Sequence, residues 1–83
     1  MRYRLEDIEA FVAVVETGSI GAAAVRLDLA KSVVSKRVTG LENCLGVSLL
    51  QRSTRRATPT TSGMQFFERS KAVMQESMKQ RNR

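Results

Sequence analysis

The 83-residue sequence has no histidine and no tryptophan, one cysteine and one proline. A single cysteine excludes a disulfide framework, and with no histidine beside it a Cys/His zinc site is excluded too. Lacking histidine, the chain also lacks the commonest general base, and no convergent set of polar groups suggests a catalytic centre or a metal site. No apolar run approaches the 18 residues of a membrane span. The start, Met1-Arg2-Tyr3-Arg4, leads into an acidic helix in place of a signal-peptide apolar stretch, so a soluble, reducing, cytoplasmic setting is expected. With 42% hydrophobic residues the chain is not disordered by composition, and its length suits one small domain. No enzyme, cofactor or small-molecule ligand is expected within these residues.

What the chain has is basic charge in one half. Residues 1–30 carry three arginines against five acidic groups, whereas residues 31–83 carry eleven basic groups against three acidic ones. Such polarity suits a partner with a repeating negative charge. Taken alone it is equally the solvated surface of a protein-interaction or dimerisation module, so the placement of individual charges has to decide.

Apolar periodicity predicts a helix from about Leu5 to Glu16, with Leu5, Ile8, Phe11, Val12 and Val15 inward and Gly18 as its stop. Ser19 is the expected N-cap of a second helix, about Ile20 to Asp28, whose Ala and Gly residues permit close packing. A third helix is expected to be capped by Ser32 and to end at Leu45-Gly46. Its Val34, Val38, Leu41 and Leu45 must face the core, which leaves Lys31, Ser32, Ser35, Lys36 and Thr39 outward. Val47–Gln51 and Arg56–Thr58 suggest a short hairpin with Arg52, Ser53, Thr54 and Arg55 at its tip, stopped by Pro59. Thr60 then caps a final helix, about Thr61 to Arg81. There Phe67, Met74 and Met78 share a stripe that nothing else in the chain can cover, whereas Phe66 reaches back to the core. Glu42 is expected to pair with a nearby base or cap, and Cys44 to be a half-buried inert thiol.

Three helices, a two-stranded wing and a long helix make a mainly α chain with the layout of a winged helix-turn-helix followed by a linker helix. In that layout the third helix enters the major groove and the second crosses the phosphates. Short hydroxyls and cations on the outward face of the third helix suit base edges and phosphates. Arg52, Arg55 and Arg56 suit a backbone or a narrow minor groove. Ser19 and Gly21 open the start of the second helix to a phosphate. A basic amphipathic membrane helix fits less well, because residues 64–83 have too few large apolar groups.

Specific motifs strengthen this layout. Gly18-Ser19-Ile20-Gly21-Ala22-Ala23-Ala24, the Ser32-x-x-Ser35-Lys36 step and Leu41-Glu42-x-x-Leu45-Gly46-Val47-x-Leu49-Leu50-x-Arg52 together resemble the DNA-binding domain of LysR-type transcriptional regulators. Thr58-x-Thr60-x-x-Gly63 resembles that family's approach to its linker helix. The resemblance implies a DNA-binding domain over residues 1–58 and a linker and dimerisation helix over 59–83. It further implies double-stranded DNA as partner, an interrupted palindrome as target and a homodimer through Phe67, Met74 and Met78, with higher assembly left to a longer protein. Lys31, Ser32, Ser35 and Lys36 fall where the family reads bases or grips phosphates, and Arg52 and Arg55 match its wing arginines. Lys31-Ser32 replaces the common Gln-Pro, and Lys36 replaces the commoner Arg, losing its bidentate fork. No effector domain fits in the chain, which is therefore expected to be a fragment.

Overall fold

The computed structural model describes residues 3–53 and 56–81, with side chains described as far as Met74 on the last helix. Its elements are α1 (Leu5–Thr17), α2 (Ile20–Leu27), α3 (Lys31–Leu45), β1 (Leu50–Arg52), β2 (Ala57–Pro59) and α4 (Thr61–Arg81). The two strands are antiparallel, with Leu50 opposite Pro59, Gln51 opposite Thr58 and Arg52 opposite Ala57. The mainly helical winged helix-turn-helix layout expected from the sequence is the one observed.

Helix α1 forms the centre of the body, touching α2, α3 and α4. Asp7 in its first turn accepts the Arg4 N–H at 3.0 Å, a contact that also places negative charge at the positive end of the helix dipole. Gly18 closes α1 at φ 86°, a left-handed conformation that costs glycine little, and its N–H reaches the Val14 carbonyl at 2.8 Å. Because three helices surround α1, burial runs around its middle instead of along one stripe. Ala10, Phe11, Ala13 and Val14 are buried, whereas Leu5, expected inward, is 56% exposed at the free end. Phe66 of α4 does reach back, with its ring centroid 5.8 Å from that of Phe11 and 6.2 Å from that of Tyr3.

Ser19 caps α2 as its residue type predicts, its Oγ accepting the Ala22 N–H at 3.0 Å. The boundaries that follow differ from the sequence expectation. Asp28 lies outside α2, as a left-handed cap at φ 57°, and the Leu29 N–H returns to the Ala24 carbonyl at 2.9 Å. This reversal completes the turn by Ala30, so α3 starts one residue before Ser32. Ala30 occupies the N-cap without a side-chain cap, its carbonyl accepting the N–H groups of Val33 and Val34. Cys44 is exposed, not half-buried. It lies one turn beyond Gly40, where an added Cβ would meet nothing within 4 Å, so this ridge of α3 is open.

The hairpin is also displaced from its expected span. The strand starts only at Leu50, because the backbone of Ser48 and Leu49 is used elsewhere. The Ser48 carbonyl accepts the Thr60 hydroxyl at 2.6 Å, and the Leu49 carbonyl accepts the Thr60 N–H at 3.0 Å. Pro59 ends β2 from within the strand, as an edge strand allows. Arg52 belongs to β1, not to the tip. Thr60 caps α4 as expected, accepting the Gly63 N–H at 3.0 Å.

One carboxylate ties three helices together. Glu16 near the end of α1 lies 2.7 Å from Arg26 of α2 and 2.6 Å from Lys71 of α4. The Lys71 hydrogen bond, helped by Arg26, holds the Glu16 carboxyl below its ordinary pKa against the opposing effect of burial. A depressed folded-state pKa contributes stability above the unfolded carboxylate pKa, and that stability is lost as pH falls through the folded value. The contribution is modest, below about 1 kcal/mol, because the pair faces solvent. Glu16→Gln should therefore melt below the parent at pH 7, with the difference closing in acid. An unchanged difference at low pH would remove the carboxylate from this role.

Candidate nucleic-acid interface

Helix α3 separates two chemistries by its own periodicity. Val34, Val38 and Leu41 are fully buried beneath it, whereas Lys31, Ser32, Lys36 and Thr39 are exposed and Ser35 is half-buried. The remaining cation, Arg37, turns toward α1, its Nη2 3.3 Å from Glu6. The face of α3 bearing Lys31, Ser32, Ser35, Lys36 and Thr39 thus carries short hydroxyls and amines and no acid ahead of Glu42, with exposed Val33 to one side of it.

A cleft of about 430 Å³ lies between the start of α2, the first turns of α3 and the wing. Ser19, Gly21, Lys31, Ser35, Arg52 and Arg56 all line it. Gly21 has a local reason to be glycine, since a Cβ there would lie 3.2 Å from the Lys31 Cε. The bare backbone lets the Lys31 chain lie across the first turn of α2, adding its charge to the positive end of that helix. The cleft therefore combines helix-start dipole, the Lys31 amine and the Arg56 guanidinium, a combination suited to anionic oxygens.

Backbone N–H groups hold the wing to this surface at two places among the described residues. At the first, the Glu42 carboxylate of α3 accepts the Leu49 N–H at 2.8 Å and the Leu50 N–H at 3.2 Å through one oxygen. Its other oxygen lies 3.6 Å from the Arg52 guanidinium. At the second, the Ala57 N–H of β2 donates to the Gly18 carbonyl at 3.1 Å, joining the return strand to the α1–α2 junction. Ser53 closes the visible side of the tip, its N–H bonding the Arg56 carbonyl at 2.8 Å.

Six of the residues singled out from the sequence (Ser19, Gly21, Lys31, Ser35, Arg52 and Arg56) meet at the cleft, and Ser32, Lys36 and Thr39 continue along α3. Arg52 takes an orientation that composition could not reveal. Its guanidinium lies back on α3, donating to Ser35 Oγ at 3.2 Å and to Thr39 Oγ1 at 3.3 Å. Arg55 lies outside the described residues, as does the Met78 side chain.

On α4 the expectation of an uncovered stripe fails at Phe67, which the same chain half-buries against its core, with the Lys71 Nζ 5.9 Å from the ring centroid. Met74 lines a separate, largely apolar groove with Tyr3, Leu5, Ile8, Phe66 and Val73. No local pattern in the sequence announces this groove, which Tyr3, Leu5 and Val73 complete. Leu5 was assigned inward by period, and only the terminal position of its turn signals otherwise. Among the described residues no helix is long and apolar enough to cross a membrane, and no three acidic, Cys or His side chains gather as metal ligands.

Comparison with known proteins agrees with this geometry. Residues 5–64 match the family described as "Bacterial regulatory helix-turn-helix protein, lysR family". The chain is 45% identical over 76 residues to the HTH-type transcriptional regulator CrgA of Neisseria meningitidis serogroup C (strain 8013), covering 92% of this chain and 25% of that protein. It is 44% identical over 71 residues to a probable hydrogen peroxide-inducible genes activator of Mycobacterium leprae, covering 86% and 23% of the two chains. The chain thus spans about a quarter of the length of these relatives. Among solved structures, the CbnR_DBD-DNA complex superposes with a TM-score of 0.89 at 30% identity, covering 95% of this chain and 91% of that one. The BenM_DBD/benA site 1 DNA complex gives the same TM-score and identity, with 95% and 89% coverage.

Proposed function

Since this chain belongs to the lysR family of bacterial regulatory helix-turn-helix proteins, we propose that it is the DNA-binding part of a cytoplasmic transcriptional regulator that recognises double-stranded DNA. Helix α3 enters the major groove, presenting Lys31, Ser32, Ser35, Lys36 and Thr39 to bases and flanking phosphates. The start of α2, with Ser19 and Gly21, lies against the backbone. Arg55 and Arg56 of the wing follow the backbone or the minor groove. Residues 1–58 form the reading body, and residues 59–83 provide a linker helix whose first turns pack on that body. Two copies pair through the α4 stripe, Phe67, Met74 and Met78, and bind an interrupted palindrome.

The observation carrying this proposal is the unbroken donor-bearing face of α3 beside a cleft to which Lys31 and Arg56 bring their charges. An interaction module would be expected to intersperse that face with apolar or acidic groups, whereas exposed Val33 lies beside it, toward Arg37, and not on it.

A fluorescence-anisotropy titration against a randomised duplex library, with the retained DNA sequenced at two salt concentrations, tests it. Enrichment of a twofold-symmetric site that survives the higher salt is expected. Lys36→Ala should weaken binding by about tenfold and, if its amine meets a phosphate, flatten the salt dependence by about one unit. Binding that selects no sequence and vanishes with salt would overturn the proposal.

A further inference from the structure

Arg52 holds the wing and the third helix together through two hydroxyls on the outward side of that helix. Ser35 and Thr39 are four residues apart on α3, so their hydroxyls stack on one ridge of the helix. Each accepts one N–H of the same guanidinium, from Nη1 at 3.2 Å and from Nη2 at 3.3 Å. The charge of that guanidinium faces Glu42 at 3.6 Å, and Glu42 is itself fixed by two backbone N–H groups. Arginine has no acceptor, so neither hydroxyl can return its own proton to Arg52. Elsewhere in the fold the hydroxyls of Thr17, Ser48 and Thr60 donate to backbone carbonyls. Among the described residues, those of Ser35 and Thr39 donate to nothing.

We infer that Arg52 is a positioning residue that presents the Ser35 and Thr39 hydroxyls to the major groove as hydrogen-bond donors, so that α3 selects bases whose edges carry acceptors. This rests on the DNA-binding proposal above and assigns a chemical direction to two of its contacts. A hydroxyl that accepts from a cation is polarised into a better donor, and one of its two lone pairs is already occupied. In the major groove guanine offers N7 and O6, adenine N7 and thymine O4, whereas cytosine offers only its amino donor. The bases facing Ser35 and Thr39 are therefore guanine, adenine or thymine, with guanine favoured and cytosine rejected. Because the guanidinium charge is offset by Glu42, Arg52 adds little to the attraction for phosphates.

Library selection on the parent chain and on Arg52→Lys separates the possibilities. Lysine keeps the charge but cannot span both hydroxyls. The parent should reject cytosine at two positions of each half-site. Arg52→Lys should relax that rejection about fivefold per contact, the yield of a single hydrogen bond, while its affinity for random duplex is unchanged. A loss of folding would instead lower affinity for every duplex alike, leaving the base preferences intact. The double variant Glu42→Gln/Arg52→Gln removes the pair without changing net charge, and its salt slope should equal that of the parent.

Base preferences retained in an Arg52→Lys variant whose affinity for random duplex is unchanged would overturn the inference, and a slope reduced by about 0.9 in the double variant would make Arg52 a phosphate contact and overturn it too. Should Arg52→Lys fail to fold, Ser35→Ala/Thr39→Ala must lose the same rejection of cytosine. Retention of that rejection by the alanine pair would be equally fatal. A parent chain that enriches no sequence would defeat the DNA-binding proposal itself, a distinct result.

Discussion

Replacing Gly63 by alanine is expected to destabilise the domain by about 2–4 kcal/mol, a fall in Tm of at least about 8 °C. Two effects compete at this position. Alanine in a helix is intrinsically better than glycine by about 1 kcal/mol. Against that, a Cβ on Gly63 would come within 2.0 Å of the Leu49 carbonyl oxygen and 3.0 Å of its carbon. The obstacle is backbone, which no rotamer can remove. Leu49 is fully buried, and its carbonyl accepts the Thr60 N–H at 3.0 Å, so relief requires the first turn of α4 to leave the body. Separation would give up that bond and disturb the packing of Phe66 on Phe11. The steric term therefore wins. Thermal or urea melts decide the matter, and an alanine variant more stable than the parent would mean that the contact relaxes freely.

Glu42→Ala should cost a similar amount, about 2–4 kcal/mol. One oxygen of this side chain satisfies two N–H groups, those of Leu49 and Leu50, and both residues are buried. Leaving a buried donor unpaired costs about 1–3 kcal/mol, partly relieved here by water at the rim. Glu42→Gln keeps an oxygen at the same place and loses only the charge beside Arg52, so about 1 kcal/mol is expected from it. Urea melts of the two variants give the comparison. Equal losses would assign the stabilisation to the charge pair instead of the backbone bonds. The direction of the contrast is set by chemistry, because an amide oxygen accepts as a carboxylate does and an alanine methyl does not.

These two residues also mark where sequence reasoning reached and where it stopped. Val34, Val38 and Leu41 declare the inward face of α3 by spacing alone, and with it the outward face that makes the candidate site. Ser19 and Thr60 declare their helix starts because a hydroxyl before a helical run has one obvious use. The start of α3 was not legible in this way. Its position follows from Asp28 adopting a left-handed turn, a conformation routine for glycine and only occasional for aspartate, whereas Ser32 offered a more familiar cap. The strand limits were hidden for a related reason, since the backbone of residues 48 and 49 is claimed by Thr60 and Glu42, partners that no local pattern reveals. Arg52 looked like part of a basic tip because charge is visible in a sequence and direction is not. Only the fold shows that its guanidinium lies on Ser35 and Thr39. The separation of Leu5 from the core has the same origin, in that period identifies a face but not how far along a helix its neighbours extend.

The division of labour along α3 has a consequence for how the molecule can change over time. Its buried row is Val34, Val38 and Leu41, packed among alanines 10, 13, 23, 24 and 57, where small side chains bring the helices close and leave little room for enlargement. Its outward row at Ser32 and Lys36 is exposed and takes no part in that packing. Substitutions on exposed positions of this kind usually alter stability by less than about 0.5 kcal/mol. The inner row is therefore confined to a few sizes, while the outer row is free to drift. If the proposed interface is correct, a lineage descending from this sequence can alter it at Ser32 and Lys36 without passing through an unfolded ancestor. Ser35 and Thr39, tied to Arg52, would have to change in company.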